Sequence, residues 1–205
     1  IREDRCERVL VGVVEEGVPI LHALLDRFQA LTRADQSGAE RARPFDLHRT
    51  GLIAAEGAAV VVLESAATAA ARGAHPLCRL LAHGAAFDPT AQAHDWGHGE
   101  VRLGKSLRRF LDRSGVAPQA IDLIVSGASG TRLGDRLEAL TLRAAWGSLP
   151  LPPILAPKGT TGEYGGGFLA AALLAAAGER PGPTAGFTTV DPERVLPGLI
   201  VGASF

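Results

Sequence analysis

The sequence predicts an α/β protein in which helices cover sheets. Two observations carry that expectation. Apolar runs rich in β-branched residues alternate with longer segments whose apolar residues recur at helical spacing. Glycine, proline and polar clusters punctuate the junctions between them.

The elements follow in order. Val9-Leu-Val-Gly-Val-Val14 is apolar, β-branched and bounded by charge, so it reads as a buried strand. Pro19 to Leu31 carries Ile20, Leu21, Leu24, Leu25 and Phe28 near helical spacing. Thr32 to Arg43 is polar and reads as a surface loop. Ala58-Ala-Val-Val-Val-Leu63 is the clearest strand, and Glu64 to Arg72 is an alanine-rich helix that Gly73 ends. Leu77 to Ala85 is expected as an antiparallel strand, followed by a loop to Gly99. Val101 to Arg113 is amphipathic and closes at Ser114-Gly115. A short turn at Pro118 leads to a strand at Ile121–Val125, a glycine and serine turn at Gly127–Gly130, and a helix from Gly134 to Ala145. Pro150 to Pro157 is extended, Gly165 to Ala177 is a helix of small residues, and Leu199 to Val201 is the last strand. Residue 1 reads as the end of a helix, the last residues as a strand entering a turn, and both ends look cut.

Bulk composition removes several function classes. Hydrophobic residues make up 46% and charged residues 21%, with a formal net charge of -1, so nothing favours nucleic acid or an anionic membrane. Gly and charged residues interrupt every apolar run, and Phe168 to Ala177 is about half the length of a bilayer span. The cysteines, Cys6 and Cys78, have no CxxC or metal spacing and are expected as reduced thiols of a cytoplasmic protein. His94 and His98 are four apart, but Gly97 and Gly99 argue against a helix that would present both to a metal. No cofactor or metal is expected.

Four segments carry a further signal. They are Arg43-Pro-Phe-Asp-Leu-His-Arg-Thr-Gly51 with Ala55-Glu-Gly-Ala-Ala-Val-Val-Val-Leu-Glu64; Ile121 to Asp135 with Glu138; Pro157-Lys-Gly-Thr-Thr-Gly-Glu163; and Gly202-Ala-Ser-Phe205. In this order and spacing they resemble the β-ketoacyl synthase family. The resemblance implies a thiolase-like layered αβαβα fold made of two similar halves. Residues 1–64 would form the end of the N-terminal half and the crossover, and residues 65–205 the C-terminal half. The family's nucleophilic cysteine would lie before residue 1. Cys6 sits among Asp4, Arg5, Glu7 and Arg8 and has no helix N-terminus to lower its pKa.

The family reaction is decarboxylative condensation. A thiolate holds an acyl chain, and the malonyl thioester oxygen gains negative charge as carbon dioxide leaves. Catalytic members place two histidine donors there. By resemblance the first histidine position is Gly127, which has no side chain. The second is Glu163, whose carboxylate accepts hydrogen bonds and has no proton to give. Lys158 is retained. The acid that such a lysine would pair with on the following helix is missing before Glu179, so Lys158 is expected to pair with Glu163. No catalytic residue is therefore expected intact. Asp135 and Glu138 read as scaffold, Arg132 as a surface charge, Thr131 as holding the turn by a local hydrogen bond, and Arg49 and Glu56 as a buried or interfacial polar pair.

The resemblance then implies a subunit like the chain length factors: it would not condense, would pair with a homologous ketosynthase as a heterodimer, and would shape the acyl tunnel. A homodimer is the other assembly, and acyl carrier protein the other partner. Gly165, Gly166 and Gly167 would suit a close subunit or tunnel contact, or helix packing. An active synthase with an altered site, and a module that only binds acyl thioesters, are the competing functions.

Overall fold

The computed structural model describes residues 5–92, 96–178 and 200–201 of the 205. The expected helix end at residue 1, His94, Glu179, Leu199 and the terminal Gly202 to Phe205 lie outside the described residues.

Strand β1 (Arg8–Glu15) pairs antiparallel with β2 (Gly57–Glu64), from Arg8 opposite Glu64 to Glu15 opposite Gly57. Side chains alternate across a strand, so one face holds Val9, Val11 and Val13 with Ala59, Val61 and Leu63, all half-buried. Helix α6 (Gly165–Ala176) packs against both strands. The other face carries Leu10, Val14, Val60 and Val62 into solvent.

Helix α1 (Pro19–Arg27) has proline in its first turn, where a missing N–H costs nothing. It stops short of Leu31. Gln29 takes a left-handed φ of 54°, and Leu31 then bridges Leu52. Helix α2 (Ala66–Ala71) is capped by Ser65, whose Oγ accepts from Thr68 N at 3.1 Å, and Gly73 ends it at φ 68°.

The expected strand at Leu77 to Ala85 does not form: the segment joins none of the described strands. Leu77 and Leu80 are solvent-exposed, and Gly84 lies against the ring of Phe110. A strand needs a neighbour, and none of the described strands runs beside this one.

Helix α3 (Glu100–Arg113) packs on α4 (Arg132–Trp146). Gly104 sets their approach. A Cβ there would stand 2.5 Å from Ala144 Cβ and 2.8 Å from the Thr141 carbonyl, so only glycine fits. Strand β3 (Ile124–Val125) is the centre of a three-stranded sheet, parallel to β4 (Ile154–Leu155) and antiparallel to β5 (Ile200–Val201). It is shorter than the expected Ile121–Val125. Phe45, Ile124, Val125, Leu142, Trp146 and Ile154 form the core between this sheet and its helices. Among the described residues no helix is long and apolar enough to cross a membrane.

Candidate functional site

Asp135, in the first turn of α4, organises the frame. Its buried carboxylate accepts from the backbone N–H of Phe45 (2.8 Å), Ser129 (3.1 Å) and Gly130 (3.2 Å), with Arg49 Nε at 3.8 Å. The Phe45 bond holds a buried non-glycine residue at a left-handed φ of 62°. Arg49 also donates to the carbonyls of Asp46 and Arg132, and Arg132 Nε returns a 3.3 Å bond to the Arg49 carbonyl. A Cβ on Gly130, at φ 97°, would sit 2.5 Å from the Gly51 carbonyl. Segment 43–51 is thus pinned to the turn that carries Gly127. Burial pushes the Asp135 carboxyl up to about 6, against the pull of the backbone donors and Arg49.

The same chain segment reaches the second motif. Glu163 donates its N–H to the Ile53 carbonyl (2.7 Å) and accepts from Ala55 N (3.3 Å). Gly162, at φ 76°, makes the preceding turn after α5 (Lys158–Thr161). The Lys158 ammonium donates to the Glu163 carboxylate, as the sequence predicts.

Glu138 links the two motifs. Its carboxyl accepts from Ser126 Oγ (2.6 Å), and both the Gly127 backbone and the Lys158 charge act on its ionisation. Burial pushes it above its ordinary range. Ser126 opposes that shift, the Asp135 charge adds to it, and Gly127 and Lys158 oppose it. Glu138 is thus coupled electrostatically to the Gly127 turn and to Lys158, whose ion-pair partner is Glu163. Gly127 is not a glycine for steric or backbone reasons: a Cβ there meets only Glu138 Oε2, at 3.7 Å, and its φ is not left-handed.

Two expectations need correction. Arg49 does not meet Glu56; it faces inward to Asp135, while exposed Glu56 accepts from Gly17 N at 2.9 Å. Thr131 makes no side-chain cap to α4; the turn is held by Asp135 instead. Of the two readings of the glycines at the start of α6, packing within the chain is the one seen. A Cβ on Gly57, Gly166 or Gly167 would stand 2.8, 2.7 or 2.8 Å from the Tyr164 ring, so these residues make room for one aromatic side chain. Sequence reasoning passed over Tyr164, although an aromatic residue before three glycines was the available signal. It also treated Glu138 as scaffold without its tie to Gly127. Among the described residues no group of His, Cys, Asp and Glu could hold a metal ion.

Comparison with known proteins agrees with this frame. The model of the β-ketoacyl synthase N-terminal domain matches residues 1–69, and that of the C-terminal domain matches residues 77–177. A putative polyketide β-ketoacyl synthase 1 from Streptomyces cyaneus is 32% identical over 202 residues, covering 94% of this chain and 47% of that protein. The 3-oxoacyl-[acyl-carrier-protein] synthase 2 of Mycobacterium bovis is 32% identical over 194 residues, covering 91% and 46%. The structure of the ishigamide ketosynthase/chain length factor superposes with a TM-score of 0.79 at 29% identity, covering 99% of this chain and 50% of that one. The chain spans about half the length of the curated relatives it matches.

Proposed function

We propose, from the premise that this chain belongs to the β-ketoacyl synthase family and has its thiolase-like fold, that it is part of a non-condensing subunit. It pairs with an active ketosynthase, shapes the tunnel for the growing acyl chain and meets acyl carrier protein. The observation that carries this reading is the pairing of Glu163 with Lys158, together with a Gly127 that has no side chain.

The chemistry follows from charge. Decarboxylation of a malonyl thioester builds negative charge on the thioester oxygen, and fixed donors must meet it there. Losing one such donor costs about a hundredfold to a thousandfold in rate. At position 127 the side-chain donor is gone. At position 163 a carboxylate held by an ammonium faces the same charge, and like charges repel. Similarity to a ketosynthase/chain length factor structure supports the partner-subunit reading.

The test measures malonyl-carrier-protein decarboxylation and condensation by the protein alone and with its candidate ketosynthase partner. Alone it is expected to form no ketoacyl product. Glu163→Gln is expected to weaken stability or assembly and to leave the partner's carbon–carbon bond formation nearly unchanged. Condensation by the protein alone at ordinary synthase rates would instead establish an active synthase with an altered site.

A further inference from the structure

Helix α3 carries a row of like charge that the fold leaves unneutralised. Arg102, Lys105, Arg109 and Arg113 step along it by three, four and four residues. At about 3.6 residues per turn they share one face and span about 16 Å of helix axis. All four are exposed, whereas Gly104 and Leu111 on the other side of the helix are buried. Among the described residues no carboxylate lies within ion-pair distance of any of the four. Asp112, beside the row, is held by Arg108 at 3.2 Å. Asp88, the carboxylate that feels the Arg102 charge, is buried and taken up by Thr90 and the Gly99 N–H. Neighbours in the row stand three or four residues apart, the spacing at which like charges repel and destabilise a helix. An anionic partner along this face would remove that repulsion.

We propose that this face of α3 docks an acidic α-helix of a partner protein. A helix with Glu or Asp every three to four residues repeats its charge at the same rise. Two such helices side by side bring a carboxylate opposite each cation along the whole row, in charge-assisted hydrogen bonds. Other polyanions fit less well. A helix that lies on a membrane buries its apolar face in the lipid, and the apolar face of α3, with Leu107, Phe110 and Leu111, packs into the core instead. Grooves for single-stranded nucleic acid combine cations with aromatic rings for stacking. Here the remaining exposed residues of α3 are Val101 and Asp112, neither of them aromatic and one of them anionic. The formal net charge of the whole chain is -1, so the attraction is local to this face. Docking here is independent of whether the subunit condenses.

The test uses the protein in its native assembly and a fluorescent, helix-stabilised peptide whose glutamates lie along one face at the spacing of the row. An isomer with the same residues scattered around the helix is the comparison. Fluorescence anisotropy is expected to show the one-faced peptide binding at least about tenfold more tightly than the isomer. Its affinity is expected to fall about tenfold between about 50 and 300 mM salt, as screening sets in. Lys105→Glu with Arg109→Glu is expected to abolish binding. Lys105→Gln with Arg109→Gln, which keeps good helix formers, is expected to weaken it about tenfold. Arg27→Glu, on α1, is expected to leave it within about twofold. If the charge reversal fails to fold, the Gln pair decides. Equal binding of the two peptides, indifference to the Gln pair, or no binding at low salt would each overturn the assignment. So would tighter binding of an oligonucleotide, or of phosphatidylglycerol vesicles, than of the one-faced peptide.

Discussion

Position 127 has an ordinary backbone conformation and an open approach, with Glu138 Oε2 3.7 Å from a Cβ built there. Gly127→His is expected to fold with stability within about 1 kcal/mol of the native protein, read by urea unfolding. Combined with Glu163→His it restores both donors, and malonyl decarboxylation is expected to rise at least about a hundredfold over background. Asp135 carries the opposite lesson. Its folded-state value of about 6 lies above the unfolded 3.8, so the folded protein holds more protons between the two. Its contribution to stability therefore falls as pH rises through that window, by up to about 3 kcal/mol. Asp135→Asn is expected to flatten this dependence and to destabilise the protein by about 2 kcal/mol on the acid side, through weakened acceptance from Phe45, Ser129 and Gly130. Denaturation on either side of the window checks both. Lys158 and Glu163 were legible as a pair because opposite charges lie five residues apart around a glycine turn. Arg49 with Asp135 was not, because the partners lie in distant segments that only the folded core brings together.

Among the elements, the ribbon of β1 and β2 was readable from its β-branched runs, and α3 and α4 from their apolar periodicity. Leu77 to Ala85 misled because an apolar run states a preference for extended backbone and says nothing of whether a partner strand exists. The α3–α4 crossing depends on Gly104, and Gly104→Val is expected to cost about 2–4 kcal/mol by forcing the helices apart, seen as a lowered urea midpoint with unchanged m. Tyr164 fills the slot that Gly57, Gly166 and Gly167 leave. Tyr164→Ala is expected to cost about 3 kcal/mol through the cavity it opens, and a readable part of that loss should return in Tyr164→Phe.

Among the described residues, apolar side chains stand in solvent on the ribbon and along α1. Leu10, Val14, Val60 and Val62 line the outer face of the ribbon, and Ile20, Leu21, Leu24 and Phe28 lie along and just after α1. Apolar exposure this contiguous marks a surface that associates. The isolated chain is expected to bind an apolar reporter dye and to self-associate. Val60→Lys with Val62→Lys should reduce both, measured by dye fluorescence and gel filtration, without changing the circular dichroism of the helices. The sequence placed these residues on strands and helices but could not say which faces stay bare, since that depends on what packs where. The main-chain clamp on Glu163 has a different reach. Its bonds to Ile53 and Ala55 involve only amide and carbonyl atoms, so the backbone register at residue 163 does not depend on the carboxylate. The position acts as a socket: its register is set by the main chain, while the side chain it holds adds the ion pair whose loss would lower stability or assembly.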